Sequence, residues 1–193
     1  MSNSMFKGLP IIETNRLKLR SFRTEDVNEY FSYHNDLEVN EFYDWKPNTL
    51  AEAKEDIELI INSYKQTNYT RWAITLKGTD TIIGDCGLMT GDRKGEISYI
   101  LAREHWGTGI MTEAINAIIA CCFRETDIIR IQALSRPDNL SSSKLLMRTG
   151  FQKEGLLRKY GHNMITNQFE DLLMWSVLRE DFCNYPEYTV NYL

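Results

Sequence analysis

Residues 96–114 read Glu-Ile-Ser-Tyr-Ile-Leu-Ala-Arg-Glu-His-Trp-Gly-Thr-Gly-Ile-Met-Thr-Glu-Ala. The first six residues, rich in β-branched and aromatic side chains, read as a strand ending at Leu101. From about Gly109 to Arg124 the apolar positions Met111, Ile115, Ile118 and Cys122, widened by Ala114 and Ile119, form one helical face. Between strand and helix, Gly107 and Gly109 stand one residue apart. A helix start leaves its first four N–H groups without internal partners and carries about half a positive charge, so it suits a phosphate. The same residues also read as an ordinary tight strand–helix turn. Two other phosphate motifs are excluded by spacing. No G-x-x-x-x-G-K-[ST] string occurs, and Thr112 stands where a dinucleotide fingerprint needs its third glycine.

Upstream of this segment, Arg16-Leu17-Lys18-Leu19-Arg20 alternates as a strand. Thr24 is the expected N-cap of a helix carrying Val27, Tyr30 and Phe31, and Thr49 to Tyr64 is a second helix with Ile57, Ile60 and Ile61 at helical spacing. Between them lies an aromatic loop, Glu38 to Pro47, read either as a hydrophobic patch closing over the core or, through Glu38, Glu41 and Asp44, as a site for a cation. Strand signals at Arg71–Leu76 and Thr81–Leu88 precede the quoted segment. Downstream come a strand at Ile129–Leu134, a helix at Ser141–Arg148 ended by Gly150, and a last strand at Asp171–Leu178. The order β-α-α-β-β-β-α-β-α-β predicts an α+β fold.

Composition narrows the function classes. The chain has 193 residues with 22 Lys+Arg against 27 Asp+Glu, a net charge of −5, so no cationic excess is available for nucleic acid. Cys86, Cys121, Cys122 and Cys183 make no CxxC pair and are expected to be reduced, buried thiols, with no metal site. The longest apolar run, Ala117–Phe123, is far short of the ~20 residues of a membrane span, and no signal-type stretch opens the chain; a cytoplasmic setting is the expectation. A flexible arm (1–9), one domain (10–182) and a Tyr-rich tail (183–193) that docks on the body or on a partner complete the expected organisation.

The quoted segment resembles the acetyl-coenzyme A segment of the GNAT N-acetyltransferases, in particular the branch that acetylates the N-termini of ribosomal proteins. The likeness extends to Thr14–Arg20, Asn139–Leu146, Gly150-Phe151 with Glu154-Gly155, and Asp171–Leu173. It implies a mixed, mostly antiparallel central sheet flanked by helices, with a splayed strand pair forming the coenzyme cleft. Pantetheine would pair with the backbone of Ile100, Leu101 and Ala102, and the pyrophosphate would sit on the amides of Trp106, Gly107, Thr108, Gly109, Ile110 and Met111. Asn139 matches the family's cofactor-contacting Asn and also reads as a helix cap. Ser142 matches the serine that serves the leaving thiolate, whereas many relatives carry Tyr where Leu146 stands. Glu104 replaces the family's usual Gln or Arg and is expected to face solvent.

Such an enzyme lets a neutral amine attack the thioester directly. At pH 7 roughly a tenth of an α-amino group of pKa ~7.7–8.0 is neutral, against less than about one in a thousand for lysine at ~10.4. An N-terminal acceptor thus needs only modest help from a base. Glu96, sharing a strand face with Ser98 and Ile100, is the base candidate, expected to be partly desolvated; His162, placed in the turn before the last strand, competes with it, while His34 and His105 read as surface residues. The leading expectation is acetylation of a protein or peptide N-terminus. A small-amine acceptor (polyamine or aminoglycoside-like) and a non-catalytic coenzyme-binding module are the alternatives, and a homodimer is kept open as an assembly.

Overall fold

A computed structural model describes residues 6, 8–65, 68–183 and 185–192. Its elements are β1 (Pro10–Glu13), β2 (Leu17–Arg20), α1 (Val27–Asn35), α2 (Leu50–Ser63), β3 (Tyr69–Leu76), β4 (Ile82–Gly91), β5 (Lys94–Leu101), α3 (Ile110–Glu125), β6 (Arg130–Ser135), α4 (Leu140–Arg148), β7 (Gln152–Asn163), β8 (Gln168–Leu178) and β9 (Thr189–Tyr192). The strands form one sheet in the order β7-β8-β6-β5-β4-β3-β2-β1-β9. Every neighbouring pair is antiparallel except β5–β6, which is parallel. The β4–β5 hairpin turns on Asp92-Arg93, both at positive φ (50° and 62°), the conformation that matches the twist of a two-residue hairpin.

Each face of the sheet carries its own core. On one, α3 buries Ala114, Ile115, Ile118, Ile119 and Phe123 against Leu17, Leu19, Trp72, Ile97 and Leu101. On the other, α1 and α2 set Tyr30, Tyr33, Ile57 and Ile60 over Ala73, Ile82 and Ile100. Successive β5 side chains therefore alternate between two helical layers, Ile97 and Leu101 to one and Ile100 to the other. Phe6 is buried edge-on against Trp72, with ring centroids 6.1 Å apart.

Several expectations need correction. Thr24 caps nothing: residues Thr24–Asp26 form a short 3-10 turn, and the Asp26 carboxylate accepts the Arg23 N–H at 2.8 Å. His34 is buried, because positions 30, 33 and 34 share the inner face of α1; its ring lies 4.2 Å from that of Tyr30 and 4.9 Å from that of Tyr33. Of the four cysteines, Cys183 is exposed rather than buried. Three strands carried no signal that sequence reading used: β1, β7 and β9. The tail segment docks on the body as β9, pairing Thr189–Tyr192 with Pro10–Glu13.

Candidate active site

The parallel pairing of β5 with β6 stops early. It joins Lys94 to Arg130, Gly95 to Ile131 and Glu96 to Gln132, and beyond these pairs the strands part. Which β5 groups face the gap follows from antiparallel geometry. Ala102 gives its N–H to the Ile83 carbonyl at 2.8 Å and Ile100 lies opposite Asp85, so these residues bond toward β4. The alternate residues Tyr99 and Leu101 then aim their N–H and C=O groups into the gap. Tyr99 C=O accepts the Tyr43 hydroxyl, from the loop between α1 and α2, and Leu101 C=O accepts the Trp106 indole N–H at 2.8 Å. Among the described residues the N–H groups of Tyr99 and Leu101 meet no partner across the gap and are left to a ligand. Of the expected trio Ile100, Leu101 and Ala102, only Leu101 has its backbone in the gap; Tyr99 is the other.

At one end of the gap stands the glycine turn. Gly107 (φ 74°) and Gly109 (φ 79°) are both left-handed, and Gly109 N-caps α3. A Cβ at Gly107 meets nothing within 4 Å, so backbone conformation and open approach, rather than packing, explain the glycine there. The Trp106 N–H is already given to the Arg103 carbonyl at 3.0 Å, which removes it from the expected phosphate set. Among the described residues the amides of Ile110, Met111 and Thr112 have no intrahelical partner, the first helical bond being Glu113 N–H to Gly109 C=O at 3.1 Å. Thr108 is exposed and does not line the cavity, its carbonyl being held by Arg16 Nη1 at 3.0 Å. The turn is braced from below: Glu113 accepts from Thr14 Oγ1 (2.5 Å), Arg16 N–H (3.0 Å) and Arg16 Nε (2.6 Å). Burial pushes the Glu113 carboxyl up, but these hydrogen bonds and the Arg16 charge outweigh it and hold the group below the usual carboxylate range.

From the facing side α4 contributes Asn139 and Ser142. Asn139 Oδ1 accepts the Ser142 N–H at 2.9 Å, which is the helix-cap role. Ser142 Oγ lies 2.7 Å from the Tyr99 hydroxyl, so the phenol bridges the gap between β5 and α4. Burial raises the Tyr99 phenol well above its ordinary pKa, the Ser142 hydrogen bond offsetting this only in part, so it stays protonated. Leu146, where many relatives have Tyr, is buried in the core.

The opposite end is built by Glu38, Val39, Glu41, Phe42 and Tyr43, with Glu96 and Ser98 from β5. Glu96 Oε2 accepts from Gln132 Nε2 at 2.8 Å, leaving Oε1 for the cavity, and Glu38 is tied to Arg103 at 2.6 Å. The whole cleft encloses about 540 Å³ and is continuous from the glycine turn to this loop. His105 lines its glycine end, half-buried rather than on the surface, while Glu104 is exposed as expected. His162 lies in β7, not in a turn, bonds Asn167 at 3.0 Å and does not reach the cleft. Tyr99 and Tyr43 are the site residues that sequence reading missed. The parity of β5 identifies Tyr99, because it lies on the opposite face from Glu96. Nothing local identifies Tyr43.

A glycine turn with bare helix amides, a strand edge with two unpaired donors, and a through-going cleft suit a ligand with phosphates at one end and an amide-bearing chain behind. Residues 16–152 match the acetyltransferase (GNAT) domain family. The chain belongs to the GNAT acetyltransferases. Members of this family use acetyl-coenzyme A as acetyl donor, and the cleft is built for it. This GNAT chain is 35% identical over 173 residues to the uncharacterized N-acetyltransferase p20 of Bacillus licheniformis, covering 88% of this chain and 96% of the relative. It is 34% identical over 86 residues to the [ribosomal protein uS5]-alanine N-acetyltransferase of Escherichia coli, covering 45% of this chain and 43% of that protein. Its fold matches the ribosomal L7/L12 α-N-protein acetyltransferase RimL in complex with coenzyme A, with TM-score 0.76 and 19% identity over 86% of this chain and 95% of that one. Among the described residues no group of His, Cys, Asp and Glu could hold a metal, and no helix is long and apolar enough to cross a membrane.

Proposed function

We propose that this acetyltransferase acts on the α-amino group of a protein or peptide. One observation carries the reading: between the two ends of the cleft, the splayed strand offers a single carboxylate, Glu96, and one of its two oxygens is engaged by Gln132. The other two carboxylates of the lining, Glu38 and Glu41, belong to the loop at the far end, where Glu38 pairs with an Arg103 that it shares with Asp36, and His105 stands at the glycine end. A mid-cleft section with one carboxylate suits an amine that is already partly neutral at pH 7, as an α-amino group of pKa ~7.7–8.0 is and a lysine at ~10.4 is not. The name of the E. coli relative, an alanine N-acetyltransferase, supports the same acceptor.

Acetyl-coenzyme A supplies a thioester with a good leaving group, since a thiol of pKa ~8.5 departs readily. The residues of this chain orient it and the acceptor. The amides of Ile110, Met111 and Thr112, reached past the open backbone of Gly107 and Gly109, receive the phosphates, with the α3 N-terminus adding its partial positive charge. The Tyr99 and Leu101 N–H groups receive carbonyls of the pantetheine arm. Ser142 directs its hydroxyl at the departing sulfur, and Glu96 Oε1 orders the acceptor amine or a water beside it. Most of the acceleration then comes from holding the reactants together and from fixed donors.

The test is a panel of peptides with free or blocked N-termini, each with one internal lysine, incubated with acetyl-coenzyme A and read by mass spectrometry. Acetyl groups are expected only on free N-termini. Lysine acetylation of blocked peptides at a comparable rate overturns the proposal, and acetylation of polyamines alone replaces it with a small-amine acceptor. Ser142→Ala is expected to lower kcat about 10- to 1000-fold with little change in KM. A KM effect alone would make Ser142 a binding residue only.

A further inference from the structure

We infer that Tyr99 is a positioning residue for Ser142: its phenol holds the serine oxygen and turns the serine proton toward the reacting sulfur. The inference rests on the reading of Ser142 given above and extends it to a residue that the motif does not single out.

The argument starts from which hydroxyl donates. The two oxygens are 2.7 Å apart, and each carries one proton. A phenol is the more acidic group and the better donor, and an aliphatic hydroxyl oxygen is the better acceptor. With Tyr99 donating, the Ser142 proton is free to point into the cleft that both residues line. With Ser142 donating, the Tyr99 proton would be the one left for the cleft, so the difference in acidity between phenol and aliphatic hydroxyl sets the direction. Burial also keeps the phenol protonated, so Tyr99 does not lose its proton in the reaction. No bond to hydrogen breaks at Tyr99. It donates a hydrogen bond throughout, and Ser142 donates its own to the sulfur as the carbon–sulfur bond opens.

The surrounding structure fixes both partners. Ser142 is held by its N–H through Asn139 Oδ1 at 2.9 Å, leaving its side-chain rotor as the freedom to be set. Tyr99 is held in β5 opposite Cys86, and its carbonyl is taken by the Tyr43 hydroxyl. The bridge from β5 to α4 stands past Glu96–Gln132, the last registered pair of β5 with β6 among the described residues. The phenol links the splayed strand to α4 at the level of the reaction.

The test is a double-mutant cycle on the full chain with Tyr99→Phe, Ser142→Ala and the pair, each first checked for wild-type-like melting. Tyr99→Phe is expected to lower kcat about tenfold, leaving KM within about twofold. In the Ser142→Ala background the same change should cost less than about twofold, because its target is gone. Ser142→Thr, which keeps the hydroxyl, should retain the dependence on Tyr99. A second readout needs no turnover. By calorimetry wild type should prefer coenzyme A over its desulfo analogue, and Tyr99→Phe and Ser142→Ala should each narrow that preference while leaving desulfo binding unchanged. Equal losses in the two backgrounds, or an effect on KM alone, overturn the inference. If Ser142→Ala is harmless, the Ser142 reading itself falls; if Ser142→Ala is slow and Tyr99→Phe is not, only this inference falls.

Discussion

Replacing Gly109 with valine tests the glycine turn, and its size can be worked out from the backbone. Gly109 sits at φ 79°, ψ 2° as the N-cap of α3. A Cβ built there meets only Arg16 Nη2 at 3.5 Å, an ordinary contact, so the side chain fits and the cost is conformational. An L-residue held left-handed costs about 1–2 kcal/mol, and a β-branched one lies at the upper end. The chain can answer in two ways. If the turn keeps its shape, the strain appears as lost stability, a fall in Tm of about 2–8 °C for a domain of this size. If the backbone leaves the left-handed region, the amides that follow, Ile110 and Met111, turn away from the cleft. Each charge-assisted hydrogen bond lost to a phosphate is worth about 1.5–3 kcal/mol, roughly ten- to a hundredfold in Kd. Calorimetry with coenzyme A is expected to show at least a tenfold loss for Gly109→Val in a folded protein. Gly109→Asn separates the causes, since asparagine tolerates the left-handed region: recovered affinity assigns the loss to strain, continued loss to obstruction by the side chain. Wild-type affinity in the valine variant, with melting unchanged, would refute the assignment of phosphate binding to this turn.

Glu96→Gln is expected to leave the rising limb of the pH–rate profile in place, near the acceptor's own pKa of ~7.7–8.0; disappearance of that limb would make Glu96 the base. Asp85, buried with Arg71 Nε at 2.8 Å and the Tyr33 hydroxyl at 2.8 Å, is pushed up by burial and pulled down more by Arg71 and His34, ending below the usual aspartate value. A depressed carboxyl stabilises the fold above its ordinary pKa of ~3.9, and that stability is lost as pH falls below this through the folded value. Asp85→Asn should therefore lower stability by about 3–5 kcal/mol at pH 7 and by about 1 kcal/mol less at pH 3, where the unfolded carboxyl is already mostly protonated, read from urea midpoints; equal losses at both would contradict the ion-pair account. Gly84→Val would place a Cβ 2.9 Å from Leu101 Cα and against the Ile100 carbonyl, both backbone atoms, so β4 and β5 must separate. A melting loss of several degrees is expected, and unchanged melting would show that the strands can yield.

Where one side chain per turn or per pleat decides burial, the chain announces its structure. The α3 face from Met111 to Cys122 and the period of Glu96–Leu101 are of this kind, and so is the glycine pair, since left-handed backbone has few other sources. Elements placed by their neighbours are different. β7 shows little alternation because most of its residues are exposed, and its register breaks at Lys153/Gly155 and Leu157/Gly161. β1 and β9 are four residues each and pair with one another. Within the site, Ser142, Glu96 and Asn139 come to the cleft, but the backbone set moves. Ala102 and Trp106 spend their N–H groups on Ile83 and Arg103, and Tyr99 enters instead. Hydrogen-bond parity decides that exchange, and parity depends on the register with β4. The Tyr43 contact is invisible for a simpler reason: it joins a loop to a strand 56 residues away.

The early end of the β5–β6 pairing also has a mechanical meaning. One plate of the sheet comprises β9 and β1 to β5, the other β6 to β8, and across the seam only three residue pairs are in register. The fold is cracked part-way through its middle rather than frayed at its rim, and the crack opens toward the glycine turn. A strand-like ligand laid into it acts as mortar, supplying bonds that the chain withholds from itself. Part of its binding free energy is then stored as cohesion between the plates, growing as the logarithm of ligand concentration over Kd. In the bare protein, the Tyr99 and Leu101 amides, though deep within a nine-stranded sheet, should exchange their hydrogens like amides at an edge, and slow only when the seam is filled.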